Sequence, residues 1–200
     1  MTNKLLFRFV FSSFWIVFLA TFAWVAHSTK WAVRRRTTRR ASQLRIVALS
    51  FAALYFAGAV LYALSPSWVI FLSIPVVEWF RLVMVGVAVL GISFVLWALR
   101  SLGKNWAPSL SGVRKDTFLV TTGPHRIVRH PVYFGASIFL VALALLAANF
   151  LILLPTLTLL ILLYAQLPDE ENMLIDRFGD EYREYMKRTP RFMPSFRHVR

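Results

Sequence analysis

Residues 132–167 read VYFGASIFLVALALLAANFLILLPTLTLLILLYAQL, an apolar run with one polar interruption, Asn149. A helix needs ~20 residues to cross a hydrocarbon core. The run is long enough for two crossings, and it reads as two short helices folded into a hairpin with Asn149 near the tip. Pro155 falls early in the second helix, where neighbouring helices or the Thr156 and Thr158 hydroxyls can absorb a kink. Working outward toward the N-terminus, residues 5–26 are apolar except for Arg8, and residues 46–64 and 82–99 are apolar as well. The first of these is too long for a signal-peptide core and has no small-x-small cleavage site before its basic flank, so it reads as a retained span. Residues 65–81 carry Pro66, Pro75 and Glu78 around the run Trp68 to Ile74, which is too short to cross and reads as interfacial. The expected fold is therefore all-α: a polytopic integral membrane protein with five transmembrane helices.

Composition agrees. The 200 residues are 58% hydrophobic and only 16% charged, which excludes a soluble globule and a disordered chain alike. The absence of cysteine removes disulfides, thiolate metal sites, cysteine nucleophiles and sulfur-linked lipids. No repeat or low-complexity tract is visible, and no metal site is expected.

Lys and Arg number 23 against nine acids, giving a formal net charge of +14. Of these 23 cations, 20 fall in three segments: residues 30–45, 100–130 and the tail after the fifth span. Only Lys4, Arg8 and Arg81 fall on the other face. Because basic residues mark cytoplasmic loops, the N-terminus is expected outside and the C-terminal tail inside. Short juxtamembrane clusters of this kind attract anionic lipid headgroups and do not point to nucleic acid.

Eight of the nine acids lie in the two long polar segments, residues 100–131 and 166–200. In the first, Thr122-Gly123-Pro124-His125 is turn chemistry. Pro131 suits the first turn of the fourth span, where its missing N–H has no helical partner. That helix start, flanked by Arg126, Arg129 and His130, suits a carboxylate or phosphate, although an isolated Arg-His pair also reads as a headgroup anchor. The second segment opens Gln166-Leu167-Pro168-Asp169-Glu170-Glu171, read as a proline at a helix start followed by three acids. Acids in a first turn can simply offset the helix dipole. Three adjacent carboxylates beside anionic lipid, however, call for something cationic held among them. Further on, Leu174, Phe178, Tyr182 and Tyr185 form a stripe suited to packing on the bundle, Gly179 separates two short helices, and Glu184 can pair with Lys187 or Arg188.

Arg129-His130-Pro131-Val132-Tyr133-Phe134-Gly135, then Glu170-Glu171, Phe178-Gly179-Asp180-Glu181-Tyr182-Arg183-Glu184-Tyr185 and Arg188-Thr189-Pro190-Arg191-Phe192-Met193-Pro194, resemble the isoprenylcysteine carboxyl methyltransferase family and its phospholipid methyltransferase relatives. The likeness runs from about Leu102 to Pro194, so residues 1–99 are expected to form three N-terminal spans and residues 100–200 a methyltransferase-like region. The resemblance implies S-adenosylmethionine as methyl donor, enclosed by the loop before span four, the start of that span and the tail. It implies cofactor-lining roles for Thr117, Phe118, Leu119 and Val120, and cofactor contacts at His130, Pro131, Val132, Tyr133 and Glu170. His125 stands where the family usually has a tyrosine. Gln166 departs from an arginine that holds the substrate carboxylate in the isoprenylcysteine enzymes, which favours a neutral or amine-bearing lipophilic acceptor from the bilayer.

The residues read alone agree with that implication. The cationic groups of the donor suit Glu170 or Glu171, and its carboxylate suits Arg129 or the helix start. Methyl transfer needs positioning and exclusion of water more than a strong base. No catalytic base is therefore assigned; His130 or Glu170 would serve only for a neutral acceptor. Two alternatives stay open. A membrane NADPH-dependent sterol-type reductase would bind a 2′-phosphate on the basic loop and leave Asp169–Glu171 without a task. A non-catalytic scaffold or transporter would lack an ionisable residue within spans two to five to mark a path. Oligomeric state is not legible.

The charge asymmetry gives a direct test. Cysteines placed singly at Ser42, Ser111 and Ser195 of this cysteine-free chain should resist an impermeant thiol reagent in intact cells, while one at Ser67 reacts. Outside labelling of the Ser111→Cys chain would reverse the orientation.

Overall fold

The computed structural model describes residues 2–28, 39–64, 70–105 and 118–192. These residues form helices α1 (Thr2–Ser28), α2 (Arg39–Leu64), α3 (Glu78–Leu102), α4 (Pro131–Ala147), α5 (Phe150–Phe178) and α6 (Asp180–Arg188). Short 3-10 turns lie at Ile70–Leu72, Gly103–Asn105 and Gly123–Arg126. Among the described residues, three stretches are long and apolar enough to cross a membrane: Ile46–Leu64, Glu78–Asn105 and Phe150–Phe178. Leu5–Thr21 and Pro131–Ala147 are shorter apolar helices.

The expected hairpin is α4 and α5, and its tip is built by two residues. Ala148 takes a left-handed conformation, φ 49° and ψ 51°, and its N–H turns back to the carbonyls of Ala144 and Leu145. Asn149 follows, buried, with its side-chain oxygen accepting the N–H of Leu151 at 2.9 Å as an N-cap. The chain ahead of α3 is tied to this tip. Ser73 bridges Asn149, and the N–H of Ile74 donates to Ala148 O at 2.7 Å. Arg81 donates to Leu146 O at 2.8 Å, where the last α4 carbonyls lack helical partners. Its guanidinium also reaches the Tyr62 hydroxyl at 3.2 Å and lies 4.0 Å from the centroid of the Phe7 ring.

One sequence expectation is overturned. Pro168 does not open a new helix: α5 runs unbroken for 29 residues with Pro155 and Pro168 both inside it. An interior proline removes one helical hydrogen bond. On either side of Pro168, buried Gln166, Leu167 and Glu171 keep the helix docked. Beside Pro155, the Thr156 and Thr158 hydroxyls bond to Ile152 O and Leu154 O, the carbonyls four residues before each, and not to Leu151 O, which faces the missing proline N–H. Asp169–Glu171 therefore sit in a helix interior, far from the dipole end that would have explained them.

Lipid tails are as apolar as leucine, so helices in a membrane associate by close packing at small residues. The α3–α4 crossing follows that rule. A Cβ at Gly91 would lie 2.7 Å from Phe139 N, and one at Gly135 3.0 Å from Val95 N. Phe139 then stacks on Phe18 of α1 at 5.0 Å, with Phe14 edge-on at 6.1 Å. On the other side α2 packs along α5, where a Cβ at Gly58 would meet Leu151 O at 3.2 Å. Gly91→Ala should therefore lower stability in detergent by about 1–3 kcal/mol through forced separation of two backbones. Gly86→Ala, on the same helix with nothing within 4 Å of the added Cβ, should be neutral or stabilising. Thermal unfolding of the two variants compares them directly.

Candidate active site

At the end of the bundle away from the hairpin tip, the loop before α4 folds over the ends of α3 and α4. Gly123 has φ +60°, which lets the chain turn tightly, and the Ser101 hydroxyl donates to Thr122 O at 3.3 Å. This turn buries Pro124 and His125, and the Tyr185 hydroxyl of α6 donates to His125 O at 2.6 Å. Burial, together with nearby His130, lowers the pKa of His125 to about 4, so its imidazole is neutral. Its buried Nδ1 has no hydrogen-bond partner among the described residues.

The helix starts at Pro131, as the sequence indicates, with His130 at the N-cap position and Arg129 just before it. Glu171 reaches across from α5. Its carboxylate is 3% exposed and accepts from Arg129 Nε at 3.0 Å, from Arg129 Nη2 at 3.0 Å and from Arg191. His130 Nε2 lies 3.2 Å from the same carboxylate. Pairing with Glu171 raises the pKa of Arg191 further. The remaining donor of Arg129, Nη1, binds the carbonyls of Met186 at 3.0 Å and Thr189 at 2.6 Å. Arg129 and Glu171 are thus committed chiefly to each other and to the tail.

Glu170 has a different environment. Its Oε2 accepts a 2.6 Å hydrogen bond from the Tyr133 hydroxyl, one turn into α4. The Tyr133 ring is edge-on to His130 at 5.7 Å. Farther along the α4–α5 seam, the hydroxyls of Ser137 and Tyr164 meet at 2.8 Å, and Phe192 lies edge-on to Tyr164 at 4.5 Å. Asp169 has one buried carboxylate oxygen without a partner among the described residues.

The structure therefore brings together His125, Arg129, His130, Pro131, Tyr133, Glu170 and Glu171. Val132 packs against the hydrophobic core. Phe118 is 69% exposed, with its N–H on Asn105 Oδ1 at 3.2 Å, while Leu119 is half-buried and Val120 buried. Thr117 lies outside the described residues. Gln166 is buried and donates to Leu162 O of its own helix at 3.2 Å. Arg191, Tyr164, Ser137 and Phe192 had no role in the sequence reading. Arg191 and Phe192 do fall inside the motif Arg188–Pro194, which was the signal available for them.

An α-helical membrane bundle with a partly buried site of carboxylates, an aromatic hydroxyl and histidines at one end is the class defined by this geometry. Residues 84–176 match the isoprenylcysteine carboxyl methyltransferase (ICMT) family. The chain is 28% identical over 116 residues to the nickel-cobalt-cadmium resistance protein NccN of Alcaligenes xylosoxydans xylosoxydans, covering 58% of this chain and 52% of that protein. It is 34% identical over 99 residues to the protein-S-isoprenylcysteine O-methyltransferase of Schizosaccharomyces pombe, covering 48% of this chain and 42% of that one. A solved structure of the eukaryotic intramembrane Ras methyltransferase ICMT superposes with a TM-score of 0.53 at 22% identity, covering 79% of this chain and 54% of that one, and so shares the fold. The chain spans about half the length of the curated relatives it matches.

The depressed pKa of His125 has a consequence for stability. Folded, His125 stays neutral down to about pH 4; unfolded, it takes up a proton near its ordinary value of 6.5. Between those limits the unfolded chain binds more protons, so stability falls as pH falls, by up to ~1.4 kcal/mol per unit. His125→Gln should flatten the dependence of melting temperature on pH between 6.5 and 4. An unchanged slope would assign the acid sensitivity to other groups.

Proposed function

We propose that this chain is an integral membrane S-adenosylmethionine-dependent methyltransferase acting on a lipophilic small molecule or lipid. In this reading residues 100–200 carry the cofactor region, residues 1–99 form its membrane scaffold, and all five apolar helices cross the bilayer. The N-terminus lies outside, and the cofactor region and tail face the cytoplasm beside anionic headgroups. The observation that carries the proposal is the Tyr133–Glu170 hydrogen bond of 2.6 Å beside His130, within the region similar to the methyltransferase family.

The residues present fit such a donor. His125 Nδ1 and one Asp169 oxygen are buried polar atoms without partners among the described residues, and a polar ligand would satisfy them. When bound, S-adenosylmethionine supplies a methyl group on a positively charged sulfur. Glu170, oriented by Tyr133, offers a carboxylate to its cationic groups. The positive end of the α4 dipole, in the turn that follows Pro131, suits its carboxylate. His125 stays neutral and adds no repelling charge. Glu171 is committed to Arg129 and Arg191, so the carboxylates offered to a cationic group are Glu170 and Asp169. Gln166, one turn before Glu170, is neutral, in keeping with an acceptor that carries no carboxylate.

Thermal stability of the purified protein tests this with S-adenosylmethionine, its demethylated product and NADPH added separately. A ligand at 100 times its dissociation constant should stabilise by about 2.7 kcal/mol. Glu170→Gln should still extract and elute as folded protein while losing roughly tenfold to a hundredfold in affinity for the donor, the worth of one charge-assisted contact. Stabilisation by NADPH alone would overturn the proposal in favour of a reductase.

A further inference from the structure

The chain from Met186 to Phe192 crosses over the start of α4. Arg129 holds its backbone at three points: Nη1 on the carbonyls of Met186 and Thr189, and the backbone N–H on Pro190 O at 2.9 Å. At the far end Arg191 donates to both oxygens of Glu171, and the Phe192 ring lies 6.1 Å from that of His130 and 4.5 Å from that of Tyr164. Thr189, although outside any helix, is only 5% exposed. This strap covers His130, whose ring is 5% exposed, and α6 leads into it from Tyr185 on His125.

The two arginines on Glu171 are not equivalent. The Arg129 side chain is 10% exposed and fixed by four hydrogen-bond or ion-pair contacts, whereas that of Arg191 is 42% exposed. Separating Arg191 from Glu171 returns Arg191 to water and leaves the carboxylate compensated by Arg129 and His130. The break is cheap because the half-exposed Arg191 regains water and the buried Glu171 keeps Arg129, whereas stranding a buried charge costs much more. A polar cofactor that reaches His130 from water needs part of this cover to move, and this contact is the one built to let go.

We infer that residues 189–192 form a latched strap that lifts for exchange of the methyl donor and its product. The Arg191–Glu171 contact is its releasable catch, and Glu171 is a positioning residue, not a cofactor ligand. The inference rests on the methyltransferase reading of the site.

The cysteine-free chain allows the strap to be watched separately from activity. In full-length Thr189→Cys protein, maleimide labelling should be slow. Adding Arg191→Gln should speed it at least tenfold, Arg191→Lys should largely restore the slow rate, and saturating S-adenosylhomocysteine should slow labelling further. The dissociation rate of S-adenosylhomocysteine should rise by a similar factor in Arg191→Gln. Met186→Cys serves as a second reporter if Thr189→Cys fails to fold. Labelling that is indifferent to Arg191→Gln would overturn the catch. Faster labelling with an unchanged dissociation rate would overturn its role in exchange. Failure of the natural chain to bind donor or product would sink the methyltransferase reading, and the labelling rates would still report whether the strap is latched.

Discussion

A carboxylate buried to 3% on a helix at the edge of a bilayer must be compensated, because an unpaired charge in such a place costs several kcal/mol. Glu171 meets that requirement with side chains from two other parts of the chain: Arg129 and His130 at the start of α4, and Arg191 beyond α6. Its neutralisation therefore fixes the second half of the fold at this end. The loop before α4 cannot move without Arg129, and the tail is drawn inward because the other donors of Arg129 bind its carbonyls. The neighbouring acid, Glu170, is left to face Tyr133.

The rest of the bundle keeps α4 in place for this arrangement. At one end, the chain ahead of α3 and the Arg81 guanidinium tie α4 to its surroundings through Ala148 O and Leu146 O. At mid-length, Gly91 and Gly135 allow α3 and α4 to touch backbone to backbone. A helix held in this way presents its first turn in a defined position, which a site made from single hydrogen bonds on three segments requires.

Much of this was legible in the sequence. The hairpin followed from apolar length, its tip from one amide among aliphatic residues, and the α4 start from Pro131. The stripe of Tyr182 and Tyr185 was correctly read as packing, and Glu184 does pair with Lys187. Pro168 misled because a local rule for helix starts gave way to a helix docked on both sides of it. The pairing of Arg129 with Glu171 spans 42 residues, and no spacing rule distinguishes a cation that meets a protein carboxylate from one that awaits a ligand. Arg191 lay inside a quoted motif, but its partner was invisible for the same reason, since it is defined only once the tail has folded back. The resemblance implied a cofactor-lining role for Phe118, yet the residue is exposed.

The two arms of the hairpin differ in reach. At 1.5 Å per residue, the 17 residues of α4 extend about 26 Å and the 29 of α5 about 44 Å from the shared turn. A hydrocarbon layer is ~30 Å thick. With the turn at one surface, the longer arm emerges into water on the other side, while the first residues of the shorter arm stay within the acyl region. His130 and Tyr133 then sit below the plane of the headgroups, at the depth where the polar end of an amphiphile already resides. Under the proposed function, an acceptor anchored by its hydrophobic tail would meet them by sideways diffusion without leaving the leaflet, and membrane thickness would tune how deep these side chains lie.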